Sequence, residues 1–418
     1  MNFQYIKNLI NDIKELASSQ MIIVILLFAQ VSIVTKGLGT IKYGQAVLVL
    51  ALVAIIFRSL HARNSDVTLL MIQKYGEKMY TRSLFFDLLI GIICYFLCLI
   101  IFGSQINTFF GNYSMSFALN FFLLARISQT FSESSKAILT YNGNFKKFAL
   151  VDTISNLLRF LVIVFLFNSN ASIDNYLIGQ ATFSVSYGIF SLFICREYLI
   201  ISEISLKNFA EYFTNFKSDF VKQRYDQFVG IVPQHFDLVI LGYFTDFSTV
   251  GIFRIAKRLI EPINYVVSVL TPYVQNKLSR ENQNIRFNKL LMNILLPIST
   301  VLLAFYIYFG NELINLISGP SFENAYQPLL ILLIGYIVYL NTFWIRQLLL
   351  FKNLIHYHAN SRIVLLIVFL ISAFFLSPTY GANGLALALS LGMISQKVYD
   401  FLSLIHISEP TRPHGIAY

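Results

Sequence analysis

At 418 residues, with 56% hydrophobic and only 12% charged side chains and a mean hydropathy of +0.65, the chain is too apolar for a soluble globular fold, in which about a quarter of residues are charged. The net charge of +10 would suggest nucleic acid on a soluble protein. Here the basic residues lie between long apolar runs, so they describe membrane topology instead. The three cysteines, Cys94, Cys98 and Cys195, have no metal-ligand spacing and read as free thiols packed as small hydrophobes. The polar, amphipathic lead Met1–Gln20 does not read as a cleavable signal peptide.

Crossing ~30 Å of hydrocarbon takes roughly 20 apolar helical residues. In chain order, the spans are expected at Ser18–Gly37, Tyr43–Leu60, Leu84–Phe102, Ser114–Ile138, Phe148–Phe167, Tyr176–Cys195, Asp226–Phe244, Val250–Val274, Leu290–Phe309, Ala325–Phe351, Ile363–Leu376 and Ala382–Leu404. The fourth, eighth and tenth are the least apolar. The connections test the count, because cytoplasmic loops concentrate Lys and Arg. Alternate connections hold Arg63, Lys74, Lys78 and Arg82; Lys136, Lys146 and Lys147; Arg196, Lys207, Lys217, Lys222 and Arg224; Lys277, Arg280, Arg286 and Lys289; and Lys352 and Arg362. The opposite connections hold only Lys36 and Lys42. The fold class expected is therefore all-α: a polytopic membrane protein of about 12 transmembrane helices with both termini cytoplasmic.

The long basic connection Arg196–Arg224 divides the chain into two bundles of about six helices and has the character of an amphipathic surface segment. The domain reading is an N-terminal bundle over 1–205, a linker over 206–225, a C-terminal bundle over 226–404, and a non-native or disordered tail over 405–418. Gly-bracketed turns, Gly37–Gly44 and Gly242–Gly251, follow the first span of each half, an echo consistent with repeated halves. Pro233, Pro262, Pro272, Pro297 and Pro328 fall in or near second-half spans and predict more bending there.

Ionisable groups at bilayer depth cost at least ~2.5–3.5 kcal/mol each and so face a cavity or a partner. Arg254, Lys257, Arg258 and Glu261 share one helix face, as do Asp152, Ser155, Asn156 and Arg159. Arg126, Gln129, Thr130, Glu133 and Lys136 form a third stripe, and Asp226, Gly230, Gln234 and Asp237 a fourth, with His235 off it. Arg346 lies in the tenth span and Asp87 near an end of the third. Snorkelling or capping is the alternative for Arg58, Asp87, Lys136, Asp152 and Lys397. Simple neutralisation is the alternative for Glu133 with Lys136 and for Arg258 with Glu261. The excess of cations suits an anionic, phosphate-bearing cargo, which a guanidinium grips through its planar fork. The candidate cationic cavity is Arg126, Arg159, Arg254, Lys257, Arg258 and Arg346. The candidate ion-coupling acids are Asp87, Glu133, Asp237 and Glu261. No phosphate-binding loop for ATP is present. No metal, cofactor, catalytic group or nucleic-acid partner is expected.

The turn Leu38-Gly-Thr-Ile-Lys-Tyr-Gly44, its echo Thr249-Val-Gly251-Ile-Phe and the span entry Tyr380-Gly-Ala-Asn-Gly-Leu385 resemble the polysaccharide-repeat-unit flippases. These are the O-antigen translocase (Wzx) branch of the multidrug/oligosaccharidyl-lipid/polysaccharide (MOP) exporter superfamily. The resemblance implies a V-shaped pair of bundles around a central cationic cavity, as in the related MATE exporters. It implies a bacterial inner-membrane flippase that moves an undecaprenyl-pyrophosphate-linked oligosaccharide by gradient-driven alternating access. Expected partners are that lipid-linked oligosaccharide, membrane lipids, an H+ or Na+ counter-ion and polysaccharide assembly proteins. The alternatives are a drug or cation exporter, a peptidoglycan-precursor flippase and, from a different class, a membrane-embedded polymerase, ligase or acyltransferase. The short connections on the side away from the basic loops count against an enzyme.

Overall fold

A computed structural model describes residues 3–61, 64–103, 116–205, 214, 235–280, 285–351 and 355–408. The expectations for Asp226, Gly230, Pro233 and Gln234, for most of the linker and for residues 409–418 fall outside these. The described elements are helical, with no strand among them. They are α1 (Phe3–His61), α2 (Asn64–Tyr75), α3 (Lys78–Gly103), α4 (Phe117–Tyr141), α5 (Phe145–Ser169), α6 (Ile173–Ile194), α7 (Asp237–Phe244), α8 (Phe247–Arg280), α9 (Ile285–Ser318), α10 (Tyr326–Thr342), α11 (Trp344–Phe351) and α12 (Ile355–Ser408).

Among the described residues, seven helical stretches are long and apolar enough to cross a membrane. Two are double length: Met21–His61 has 41 residues and Tyr357–Leu404 has 48. Each is divided by a glycine with positive φ, Gly39 (69°) and Gly381 (53°), where a side chain would be strained. In α12 the limbs on either side of Gly381 run antiparallel, since Gly384 faces Leu376, Gly392 faces Leu365 and Phe369, and Asp400 meets His358. α4 and α8, each with a charged stripe, are absent from the apolar set, whereas α5 carries its stripe within it.

The connection after the second span, for which no helix was expected, holds α2 (Asn64–Tyr75). One expectation needs correction. The tenth span is not continuous: α10 ends at Thr342 and α11 restarts at Trp344, whose indole Nε1 donates to the Asn341 carbonyl at 2.9 Å.

The chain divides into two compact units, one of residues 1–255 with 311–326, the other of 256–310 with 327–418. The division falls inside α8 and α9. In the first unit, α4 packs on α3 and α6, and α5 packs on α1 and α6. The two glycine turns meet here: a Cβ on Gly44 would fall 1.7 Å from the Phe247 carbonyl oxygen, and one on Gly251 2.6 Å from that of Thr40. Small residues permit this backbone approach between membrane helices. Lys36 Nζ donates to the Leu316 carbonyl at 2.8 Å, and Tyr43 meets Phe322 edge-to-face at 5.9 Å. In the second unit, Asn341 Nδ2 donates to Ser299 Oγ at 2.7 Å, Tyr306 to the Leu259 carbonyl at 2.6 Å, and Ser390 to the Ile331 carbonyl at 2.8 Å.

After α6, short 3₁₀ turns at Arg196–Tyr198 and Ile201–Glu203 dock on the start of α3 through Arg82–Glu203 (2.8 Å) and the Ile200 amide to Thr81 Oγ1 (3.0 Å). All three cysteines are free and buried. Cys195 has no exposed surface, so its alkylation by a maleimide is expected to be slow in the folded protein and complete in detergent-denatured protein. Mass spectrometry of the labelled peptide checks this.

Candidate functional site

The first unit gathers two of the predicted arginines into one polar seam. Helical spacing of three or four residues puts Arg126 and Gln129 on one face of α4, Asp152, Asn156 and Arg159 on one face of α5, and Gln180 and Ser184 on one face of α6. Arg126 Nη1 donates to Gln129 Oε1, and Ser184 Oγ donates to the same oxygen at 2.9 Å. One turn back on α6, Gln180 Oε1 accepts from Arg159 Nη1 at 3.4 Å. Arg159 Nη2 donates to Asn156 Oδ1 at 2.5 Å, and Asn156 Nδ2 to Asp152 Oδ1 at 2.9 Å. Each guanidinium also lies over an aromatic face, Arg126 on Phe57 at 5.1 Å and Arg159 on Phe183 at 4.7 Å.

Neutral amides orient both guanidinium groups. Arg126 has only Gln129 as a hydrogen-bond partner among the described residues, and the like charge of Arg58 acts on it. Asp152 acts electrostatically with Arg159 from about two turns away. Two arginines and one aspartate, Asp152, stand in the described seam, a composition that suits an anion. Gln129, Asn156 and Gln180 orient the two arginines. Gln129 and Asn156 stand in the sequence stripes, but Gln180 and Ser184 do not, because a lone Gln and Ser on an apolar helix carry no pattern.

Each predicted acid has its own described partners. Asp87 is fully buried; His61 Nε2 lies 2.8 Å from Oδ1, while the hydroxyl and the amide of Ser134 both donate to Oδ2, the amide at 3.3 Å. Snorkelling is thus overturned for Asp87, and His61, which the sequence did not single out, is its partner. Glu133 Oε2 accepts from the Ser65 amide at 3.3 Å, while Lys136 lies over the Phe148 ring at 5.6 Å. Asp237 is buried at the first turn of α7, where its Oδ1 accepts from the Leu238 amide at 2.8 Å. Glu261 is ion-paired with Arg258 one turn back, the neutralising alternative.

The remaining predicted cations are on two helices, α8 and α11. Arg254 and Lys257 lie on α8 with Arg258, Arg254 partly exposed and Lys257 buried. Arg346 is on the short helix α11, in the second unit. Lys397 is 4% exposed and reaches Asp400 Oδ2 at 3.1 Å, so it does not snorkel. Among the described residues no three His, Cys, Asp or Glu side chains come together as a metal site.

A family model described as "Polysaccharide biosynthesis protein" matches residues 42–327. No curated protein sequence matches the chain. Among solved structures, the lipid II flippase MurJ in an inward closed conformation is 17% identical with a TM-score of 0.75, covering 93% of this chain and 87% of that one. An inward-facing multidrug resistance MATE family transporter of the MOP superfamily is 14% identical, with a TM-score of 0.69 and coverage of 94% and 97%. A MOP superfamily transporter from Pyrococcus furiosus, noted for the reverse polarity of its binding pocket, is 15% identical, with a TM-score of 0.64 and 95% of both chains covered. At these identities the likeness is one of fold.

Proposed function

Because the chain belongs to the polysaccharide biosynthesis protein family and has the fold of MOP superfamily transporters, we propose that it is a flippase for an undecaprenyl-pyrophosphate-linked oligosaccharide, an O-antigen or related repeat unit. In this reading it lies in a bacterial inner membrane with both termini cytoplasmic. It carries the headgroup across by alternating access while the polyprenyl tail stays in lipid. Its cargo, the surrounding lipids and polysaccharide assembly proteins are its partners, and an H+ or Na+ gradient drives it. It is a transporter and not an enzyme.

The observation that carries the reading is the Arg126–Gln129–Ser184 and Gln180–Arg159–Asn156 seam, because cations oriented by neutral amides in an apolar bundle suit a phosphate-bearing headgroup. We assign Arg126, Arg159, Arg254, Lys257, Arg258 and Arg346 to the cargo path. Asp87, Glu133, Asp237 and Glu261 are the acids through which an ion gradient would couple. An acidic or purely aromatic path would instead suit a cationic drug.

Charge reversal tests this. Arg159→Glu and Arg254→Glu are each expected to reduce export of the lipid-linked oligosaccharide at least tenfold, at the scale of a lost charge-assisted contact. The readout is lipid-linked oligosaccharide trapped on the cytoplasmic side at equal protein abundance. Undiminished export by both variants would remove the cationic path.

The similarity to the MurJ structure favours a second reading, flipping of a peptidoglycan precursor. Complementation decides between them: rescue of a strain depleted of its peptidoglycan-precursor flippase supports the second, and restored surface polysaccharide alone supports the first.

A further inference from the structure

The second unit buries a charged cluster that the cargo path does not use. The α12 hairpin brings His358, near the start of its first limb, against Asp400, near the end of its second, with Nδ1 to Oδ1 at 3.2 Å. Lys397 Nζ reaches the other carboxylate oxygen at 3.1 Å. All three are buried, at 5%, 0% and 4% exposure for His358, Asp400 and Lys397. Ser361 Oγ donates to the His358 carbonyl at 2.8 Å. Tyr339 of α10 lies under the Lys397 ammonium at 5.5 Å, and Arg362 and Arg346 act on Lys397 electrostatically.

Three physical points set this cluster apart. The first is its cost: buried ion pairs can often be replaced by apolar packing with no loss of stability, so closing a hairpin does not require one. The second is its place. At 1.5 Å per residue, Asp400 lies about 30 Å along the second limb from Gly381, at the end of the hairpin near the membrane boundary, where protons are available. The third is charge. Lys397 and Asp400 cancel, so a proton on His358 adds a whole positive charge close to Arg362 and Arg346. The His61–Asp87 pair differs in its surroundings, the described partners of Asp87 including the neutral Ser134 hydroxyl and amide.

We propose that His358, Asp400 and Lys397 form a proton-binding site, separate from the coupling acids assigned above, whose protonation strengthens the hold of the second unit on a phosphate-bearing headgroup. The cargo part of this rests on the flippase reading. By linkage, proton and headgroup each raise the affinity for the other.

The test uses the full-length protein in proteoliposomes with a fluorescent undecaprenyl-pyrophosphate-linked disaccharide, at equal pH on both sides. The wild-type initial flipping rate at subsaturating cargo is expected to rise at least about fivefold from pH 8 to pH 5. His358→Asn, which keeps a donor at the Nδ1 position but takes up no proton, is expected to flatten the profile, and His61→Gln to keep the rise. The neutral double variant Asp400→Asn/Lys397→Met is expected to move the pH of the change. A pH profile left intact by His358→Asn and by the double variant overturns the site.

An independent readout needs no cargo. Trp344 is the one tryptophan of the chain and lies on α11 with Arg346. Its emission between pH 8 and pH 5 is expected to show a transition that His358→Asn removes. A His358-dependent transition without any wild-type flipping would sink the flippase reading and leave the proton site standing. A transition that His358→Asn leaves unchanged, or none in the wild type, would sink the proton site.

Discussion

Replacing Asp87 by alanine is expected to destabilise the protein by about 3–5 kcal/mol, the scale for removing one partner from a buried, hydrogen-bonded carboxylate network. The carboxylate has no exposed surface and receives groups from two other helices: the imidazole of His61 on α1 and both the hydroxyl and the amide of Ser134 on α4. The network continues from Ser134 to Ser83 Oγ and on to Thr68, each at 2.6 Å. Without the carboxylate those donors are left unmet in a medium that offers no water. Asp87→Asn, which retains one acceptor oxygen, is expected to lose less than Asp87→Ala. Thermal melting in detergent followed by size-exclusion chromatography ranks the three proteins. Equal midpoints for wild type and Asp87→Ala would show that the network contributes nothing to the fold.

Gly44→Ala is expected to exceed the ~1–3 kcal/mol usual for overpacking a core. The added methyl would fall 1.7 Å from the Phe247 carbonyl oxygen, and the obstacle is backbone, so no rotamer change relieves it. The second limb of α1 and the start of α8 would have to part, straining the neighbouring Tyr43–Phe322 contact. Gly251→Ala should behave alike, since its methyl would lie 2.6 Å from the Thr40 carbonyl oxygen. Gly103→Ala, with nothing within 4 Å of the new atom, is the matched control and should melt close to wild type. Folded yield and melting midpoint of the three variants check the ordering, and a Gly44→Ala protein as stable as Gly103→Ala would refute the close crossing.

Much of the fold was legible because bilayer helices are written locally. Each backbone hydrogen bond closes within its own segment, so apolar length fixes a span whatever its neighbours are. The turns Leu38–Gly44 and Tyr380–Leu385 were placed where the helices break, at Gly39 and Gly381, because positive φ selects glycine. The stripes Arg126–Gln129 and Asp152–Asn156–Arg159 also lie as their spacing requires. α2 was missed because its apolar run, Leu69–Ile72, is far too short to cross a bilayer and lies in a charged connection.

What one chain position cannot carry is the identity of the residue that faces it. His61 finds Asp87 across 26 residues and His358 finds Asp400 across 42, and nothing local in either segment marks the match. Lys397 read as a group reaching for water, yet the hairpin delivers a carboxylate to it instead. The two glycine turns were visible as an echo, but only the packed unit presses them together. Hydrophobic length and spacing determined which segments enter the bilayer and which helix faces are polar. Tertiary packing decided which charges are answered and which stay open, because in a low-dielectric interior that depends on distances between side chains far apart in sequence.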